Sequence, residues 1–323
     1  MPITPPYVLI IGSSNIDMNI FSERLPQKGE TVTGGNFKQF FGGKGANQAV
    51  ASVRSGSKTV FMTKIGKDTF GDKILTHLKK EGIDVSFILR DESEASGIAF
   101  IMIDKDGENM ISVAPGANVK LSPEEIEKSE EIIINATVLV VQMEIPLETI
   151  QKIFHIALKG KVIKILNPAP LKALPKELLS KIDIIVPNEG ELFRLNSLLN
   201  LEKLKKSHKS KIIQASKQLT KLGIKTVITT LGNKGCLIYQ SKSDQFIKVP
   251  AYMVNAVDTV GAGDCFNGVL ASELAQGETI INAVKFATAA ASIAVTRKGA
   301  QESMPFASEI QERFSSITHY KMK

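Results

Sequence analysis

The chain has 323 residues, of which 43% are apolar, 23% charged and 6% aromatic, and its formal net charge is +7 at pH 7. This is ordinary globular composition, and so few aromatic side chains, with no tryptophan, do not favour a protein that stacks on nucleic-acid bases. Because the apolar runs are too short to cross a bilayer and the N-terminus lacks a signal-peptide pattern, we expect a soluble cytoplasmic protein.

Short apolar runs alternate with amphipathic stretches over most of the chain. Strands are predicted at Tyr7–Ile11, Thr59–Lys64, Thr137–Gln142, Val162–Leu166, Ile182–Val186, Thr226–Thr230 and Gly235–Tyr239. Helices are predicted at Gly43–Ser55, Thr69–Lys80, Leu147–Leu158, Glu189–Leu198, Ile212–Leu222, Gly263–Ala275 and Thr279–Thr296. This alternation is typical of βαβ units, and continuously apolar strands are typical of a buried parallel sheet. We therefore predict a three-layer α/β fold with helices on both faces of a mostly parallel central sheet.

Two segments, residues 16–41 and 97–113, interrupt this alternation. In the second, Asp104–Gly107 separates the apolar runs Ile98–Ile103 and Asn109–Val113, which is a strong hairpin signal. Both segments are predicted to form a small sheet that projects from the body as a lid over a site; an ordinary edge hairpin is the alternative. Since no linker or repeat divides the chain, we expect a single domain over residues 1–323.

Two local features have ordinary interpretations. The basic run Lys203–Lys211 is interpreted as a solvated helix end or loop, with a nucleic-acid patch as the alternative. The two cysteines, Cys236 and Cys265, form no Cys-x-x-Cys pair and are predicted to be reduced, packed thiols. Cys265 directly follows the segment Asp258–Asp264, and a packing role is favoured over reactivity for it.

The segment Asp258–Asp264 reads Asp-Thr-Val-Gly-Ala-Gly-Asp and precedes an apolar helix pattern. Small residues at a helix start leave the first N–H groups open to an anion, where the helix dipole is positive. A transferring phosphoryl group needs such donors as charge gathers on its oxygens. Asp264 would accept the proton of an attacking hydroxyl; a simple helix cap is the alternative. The segment therefore predicts an ATP-dependent kinase.

Other nucleotide-binding motifs are missing. The chain has no Walker A loop, and after the first predicted strand it reads Gly12-Ser-Ser-Asn-Ile-Asp17 instead of Gly-x-Gly-x-x-Gly. The protein-kinase motifs are also absent. A Rossmann dehydrogenase and a protein kinase are therefore disfavoured.

The segment Asp258–Asp264 resembles the signature of the ribokinase family of carbohydrate kinases. Five further blocks of that family occur in the family's order, over nearly the whole chain. They are Gly12–Asp17, Phe41–Ala49, Pro187–Glu191, Thr230–Gly235 and Thr296–Gln301. The resemblance implies a ribokinase-like fold and ATP-dependent phosphorylation of D-ribose at its 5-hydroxyl.

The resemblance also implies roles for individual residues. Asp264 would be the general base, with the amides of Gly261, Ala262 and Gly263 as the anion hole. Substrate contacts are expected from Asn15, Asp17, Gly43, Lys44, Asn47, Glu144 and Asp264. Nucleotide contacts are expected from Asn188, Thr230, Leu231, Gly232, Asn233, Lys234, Gly235, Gly263 and Thr288. Thr288 departs from the family, in which Asn or His often stands near the base.

Two metal ions are expected. Asn188 and Glu191 lie three residues apart at a predicted helix start, hence on one face, and they can hold the water shell of Mg²⁺. By resemblance, a potassium ion would lie behind the anion hole. Its ligands would come from Asp258, Val260, Ala294, Arg297, Gly299 and Ser303.

Several functions stay open at this point. A related kinase acting on deoxyribose, fructose or a nucleoside is the nearest alternative, because Asn15, Asp17 and Asn47 suit any small polyol. A sugar-binding regulator without catalysis and a nucleic-acid-binding protein follow. Apolar lid positions such as Phe37 and Ile101 are expected to be exposed, and together with the resemblance they predict a homodimer through the lid strands.

Overall fold

A computed structural model describes residues 4–204 and 208–320. Part of the basic run, residues 205–207, lies outside the described residues, so its predicted role as a solvated segment stays a prediction. Among the described residues, no helix is long and apolar enough to span a membrane.

The described strands and helices alternate over most of the chain. The strands are β1 (Val8–Ile11), β2 (Asn15–Phe21), β3 (Asn36–Gly42), β4 (Thr59–Gly66), β5 (Asp84–Asp91), β6 (Gly97–Ile103), β7 (Asn109–Ala114), β8 (Val138–Val141), β9 (Ile163–Leu166), β10 (Ile184–Ile185), β11 (Thr226–Thr230), β12 (Cys236–Gln240) and β13 (Gln245–Val249). The helices are α1 (Lys44–Arg54), α2 (Thr69–Lys80), α3 (Pro123–Glu127), α4 (Glu130–Ile134), α5 (Leu147–Ala157), α6 (Lys176–Leu179), α7 (Glu189–Leu198), α8 (His208–Thr220), α9 (Ala262–Ala275), α10 (Ile280–Ala294) and α11 (Ala307–Tyr320).

The main sheet has nine strands in the order β13-β12-β11-β10-β9-β8-β1-β4-β5. The pairs from β11 to β5 are parallel, whereas β12 and β13 add an antiparallel edge. Strands β1 and β8 are buried throughout, as expected for parallel strands covered on both faces. The prediction of a mostly parallel central sheet is confirmed.

Two apolar cores lie on opposite faces of this sheet. One packs α1, α2, α9 and α10 against it, and the other packs α3 to α8. Alternate residues of β1 divide between the cores: Val8 and Ile10 face the first, and Leu9 and Ile11 the second. The predicted three-layer architecture is therefore confirmed.

A second sheet of four strands, in the order β3-β2-β6-β7, stands apart from the main sheet. Strands β2 and β6 are parallel, while the β2–β3 and β6–β7 pairs are antiparallel. This sheet comes from the two segments predicted to form it. We call it the lid sheet.

The expectation that Ile101 is exposed is wrong, because this residue is half-buried. Side chains alternate along β6, and the register places Ile101 on the lid face that carries Asp17. Phe100 lies on the opposite face and is 53% exposed. Phe37 is 61% exposed, as expected.

Six of the described strands and helices were absent from the sequence prediction: β5, β13, α3, α4, α6 and α11. Helices α3, α4 and α6 have only four or five residues each. Strand β5 is half-buried and interrupted by polar residues, and β13 and α11 also mix polar with apolar residues. None has the continuous apolar run or wide apolar stripe on which the prediction relied. By contrast, Cys236 and Cys265 are buried free thiols, as predicted.

Candidate active site

The candidate site lies where several parallel strands of the main sheet end. Ser13 follows β1, Glu144 follows β8, Asn188 follows β10 and Thr230 ends β11. The carboxyl ends of parallel strands meet at one edge, where ligands bind in open α/β sheets. Helix α9, which begins beside Asp264, packs against β8 and β1.

Asp264 lies in the first turn of α9 and is 6% exposed. Each of its carboxylate oxygens accepts a hydrogen bond from a side-chain amide of α1. Asn47 Nδ2 donates to Oδ2 and Gln48 Nε2 donates to Oδ1, both at 2.9 Å. Asp264 is therefore not a simple helix cap, since two residues more than 200 positions away in sequence fix its orientation.

Close packing of α1 against α9 makes this contact possible. Gly268 lies one turn after Asp264, and a Cβ atom at that position would come within 2.4 Å of the Gln48 carbonyl oxygen. A larger residue would push the helices apart and separate Asp264 from both amides. Gly261, the residue before α9, has a left-handed φ of 74°, which glycine adopts without strain.

The amides that hold Asp264 are themselves held. Gln142 Nε2 donates to Gln48 Oε1 at 2.7 Å, and Gln48 Nε2 is also 3.2 Å from Asn167 Oδ1. On the other side, Gln301 Nε2 donates to Asn47 Oδ1 at 3.1 Å. In the sequence, the available signal for Gln48 was an amide inside the apolar pattern of α1, and the structure buries it fully. No role was predicted for Gln48, Gln142, Asn167 or Gln301.

Asn15 and Asp17 lie on the lid strand β2, on one face. Asn15 Oδ1 accepts from Asn118 Nδ2 at 2.9 Å, so this side chain is oriented from a distant loop. Burial, and then the charge of Glu144, raises the pKa of Asp17 to about 7. The nearby carboxylates of Glu302 and Asp264 act in the same direction.

Glu144 and Lys44 meet beside these residues. Glu144 Oε2 accepts from the Lys44 backbone N–H at 3.0 Å and from the Ser13 hydroxyl. Glu144 therefore ties the start of α1 to the end of β1, and does not cap α5. The charge of Asp264, followed by that of Glu144, raises the pKa of the Lys44 ammonium.

The predicted nucleotide residues lie around the ends of β10 and β11. Asn188 and Thr230 form an isolated parallel bridge, which places the start of α7 beside the loop Leu231–Gly235. Asn188 Oδ1 accepts from Glu191 N–H and Glu191 Oε2 accepts from Asn188 N–H, both at 2.8 Å. This capping box fixes the Glu191 carboxylate, whose pKa is raised by burial.

Thr288, from which an adenine contact is expected, uses its hydroxyl within the protein. Its hydroxyl donates to the Val284 carbonyl at 2.7 Å and is 3.9 Å from Cys236 Sγ. Thr288 is 7% exposed. Its polar atom is thus engaged within α10.

The predicted potassium ligands come from two loops that Asp258 connects. Asp258 Oδ1 accepts from Val260 N–H and Oδ2 from Gly299 N–H, each at 3.0 Å. The Ser303 hydroxyl donates to the Ala300 carbonyl at 2.7 Å. Arg297 N–H donates to the Ala294 carbonyl at 3.0 Å, and its guanidinium pairs with Glu309.

Comparison with known proteins identifies the family. Residues 5–307 match the profile of the pfkB family carbohydrate kinases. A ribokinase of Staphylococcus aureus (strain COL) is 41% identical over 307 residues, which cover 94% of this chain and 98% of that protein. A deoxyribokinase of Salmonella typhi is 36% identical over 309 residues, covering 95% and 98%.

A solved structure supports the same assignment. The Arabidopsis thaliana ribokinase complexed with ribose and ATP aligns with a TM-score of 0.89 at 33% identity, over 97% of this chain and 99% of that one. The sequence match, the shared fold and the site at the end of the parallel strands agree. The chain therefore belongs to the pfkB family of carbohydrate kinases.

Proposed function

We propose that this protein transfers the γ-phosphoryl group of ATP to the 5-hydroxyl of D-ribose, giving D-ribose 5-phosphate and ADP. The observation that carries the proposal is the buried Asp264 carboxylate, held through both oxygens at the start of α9. It is supported by the similarity to ribokinases over nearly the whole chain.

Asp264 acts as the general base in this proposal. Asn47 and Gln48 fix the carboxylate by donating hydrogen bonds to it. One of its oxygens then accepts the proton of the sugar hydroxyl through a remaining lone pair. The amides of Gly261, Ala262 and Gly263 stabilise the charge that develops on the phosphoryl oxygens. Gly263 is exposed and has open space where a side chain would stand, whereas Ala262 N–H already donates to Thr259 at 3.3 Å.

The sugar contacts are assigned to residues on the lid strand and on the segment that joins the lid to α1. Asp17, when ionised, accepts from sugar hydroxyls, and Asn15 presents its amide beside it. Both side-chain atoms of Asn47 already bond to Asp264 and Gln301, so its main role here is to position the base. The remaining expected contacts are Gly43, Lys44 and Glu144.

The nucleotide is assigned to the loop after β11 and to the start of α7. Thr230, Gly235 and the residues between them would contact ATP, as the family resemblance implies, together with Asn188. The Thr288 hydroxyl is engaged with Val284, so its contact with adenine would be through its methyl group.

The oxygen donors near the site fit the two expected cations. Glu191 fits Mg²⁺ held through water, because one of its oxygens already caps α7. When bound, Mg²⁺ would neutralise charge on the β- and γ-phosphates. The Asp258 carboxylate, which links Val260 to Gly299, and the carbonyl groups expected from the family resemblance are hard oxygen donors that would suit potassium. The ion would strengthen the field of the anion hole.

A substrate panel tests the proposal. ADP release is measured with ATP, Mg²⁺ and potassium over ribose, deoxyribose, fructose and nucleosides, for the unmodified protein and for Asp264→Asn. We expect ribose to be fastest, and the variant to lose at least about 100-fold in turnover while sugar affinity measured by calorimetry changes little.

Each alternative has its own result in this panel. Faster turnover of deoxyribose, which the 36% identity to a deoxyribokinase makes the nearest alternative, would replace the proposed substrate. Sugar binding without ADP release from any substrate would favour a regulator. Unchanged turnover in Asp264→Asn would remove Asp264 as the base. The cytoplasmic location and the single-domain organisation stay predictions.

The proposed function includes a homodimer formed through the lid sheets. Ile20, Phe37, Phe100 and Met110 are apolar and between 37% and 61% exposed. The strand register places them on one face of the lid sheet, which we call the lid patch. A second copy of the chain would cover it.

A further inference from the structure

One chain of hydrogen bonds links Asp264 to helix α2. It runs from Asp264 to Asn47 and Gln301, and then to His77 on α2, whose Nε2 is 2.8 Å from Gln301 Oε1. His77 is half-buried, and no role was assigned to it from the sequence.

The direction of these bonds defines what His77 does. Gln301 Nε2 donates to Asn47 Oδ1, and Asn47 Nδ2 donates to Asp264 Oδ2. Gln301 Oε1 is therefore an acceptor, and His77 must donate to it through Nε2–H. All three bonds point towards the carboxylate, an arrangement in which each bond polarises the next.

The same imidazole ring also contacts the lid sheet. It stacks on Phe41 with ring centroids 3.9 Å apart and an interplanar angle of 2°. Phe41 lies on β3, two residues before Gly43, where the chain passes from the lid into α1. A movement of β3 would therefore displace the ring that orients Gln301.

The backbone of Gln301 is held independently of His77. Arg54 Nη1 donates to the Gln301 carbonyl at 2.8 Å and to the Met304 carbonyl at 2.9 Å. Arg54 is itself paired with Glu81 through two bonds of 2.8 Å. Loss of the His77 donor would thus release the Gln301 side chain without releasing its backbone.

We propose that His77 is a positioning residue, which orients Asp264 through Gln301 and Asn47 and couples that orientation to the lid through Phe41. This inference rests on the proposed function, in which Asp264 is the base. The donor is needed for turnover, and the stacked ring links turnover to the position of the lid.

Two substitutions separate the donor from the ring. His77→Phe keeps the stack on Phe41 and removes the donor, and we expect kcat to fall about tenfold or more, with KM for ATP nearly unchanged. His77→Gln keeps an Nε–H donor but not the stacked ring, so we expect its kcat to lie between those of His77→Phe and the unmodified protein. His155→Phe, the same change at an exposed position of α5, is the matched control and should leave kcat unchanged.

The outcomes are distinct. Wild-type kcat in His77→Phe, or an equal loss in His77→Gln and His77→Phe, would overturn the donor role. Melting temperatures are measured in parallel, and a loss of kcat in His77→Phe that follows a general loss of folded protein would also count against it. Each variant's kcat is divided by the kcat of the unmodified protein, measured on the sugar that the unmodified protein phosphorylates fastest. If that sugar is not ribose, the proposed function changes, but the expected kcat ratios do not.

A double-mutant cycle tests the link to the lid. Phe41→Leu removes the stack but keeps the donor, and it is combined with His77→Phe. If the two residues act as one unit, their effects on the activation free energy are not additive. The fold-reduction of kcat in the double variant is then smaller than the product of the two single fold-reductions. Additive effects would overturn the coupling.

Discussion

Asp17 is a partly buried acid among the other carboxylates of the candidate site. Burial, followed by the charge of Glu144, raises its pKa from 3.8 to about 7. Between these two pH values the folded protein keeps a proton that the unfolded chain has lost. The free energy of unfolding therefore falls as the pH rises from about 4 to about 7, because ionising Asp17 costs more in the folded state.

Replacing Asp17 tests this sign. Asp17→Asn removes the ionisation, so we expect its stability relative to the unmodified protein to be greater at pH 8 than at pH 5. Urea unfolding at both pH values measures the difference. Asp106→Asn, on the exposed turn of the lid hairpin, is the control and should show the same difference at both. A pH-independent difference for Asp17→Asn would contradict the raised pKa.

At the scale of elements, Gly43 connects lid strand β3 to helix α1. Its φ is 87°, and a Cβ atom there would lie 2.7 Å from Ser14 Cα and 2.8 Å from Asn15 N. Both the left-handed backbone and the close approach to the segment after β1 require glycine. This contact sets the position of Asn15 relative to the start of α1, and so the geometry of the proposed sugar site.

Alanine substitutions separate the two requirements. Gly43→Ala suffers both strain and clash, whereas Gly29→Ala, with φ 82° and nothing within 4 Å of the added Cβ, suffers strain alone. We expect Gly29→Ala to cost about 1–2 kcal/mol of unfolding free energy. Gly43→Ala should cost clearly more and also raise KM for the sugar. Urea unfolding and kinetics measure both effects, and equal costs would show that the clash is relieved.

For the whole molecule, the lid patch is an apolar surface that the fold leaves open to solvent. The main sheet is covered on both faces, whereas the lid sheet exposes Phe37 and Phe100 on one face. Burying large aromatic side chains contributes strongly to association. If a second copy of the chain covers the lid patch, its contacts would stabilise the lid sheet in addition to the hydrogen bonds between the strands.

Sedimentation at micromolar concentration tests the homodimer. We expect a dimer for the unmodified protein and a shift to monomer when Phe37→Asp and Phe100→Asp are combined, because buried unpaired carboxylates are costly. Leu158→Asp, on an exposed apolar residue outside the lid, should not alter the mass. A monomeric unmodified protein would refute the dimer.

Local sequence determined the features that depend on neighbouring residues. Helices α2 and α7 have the predicted bounds, because caps and apolar periodicity act within a few residues. The segment Asp258–Asp264 likewise contains the small residues and the carboxylate that its helix start requires. The lid hairpin followed from Asp104–Gly107 between two apolar runs.

The tertiary structure alone decided which distant side chains meet. Asp264 and Asn47 are 217 positions apart, and Gln301 and His77 are 224 apart, so their contacts depend on how α1, α2 and α9 pack. The face occupied by Ile101 depended on strand register in the same way. The sequence by itself thus determined the family and the chemical groups at the start of α9. Only packing, through the close approach at Gly268, decided that Asn47 and Gln48 hold the carboxylate there.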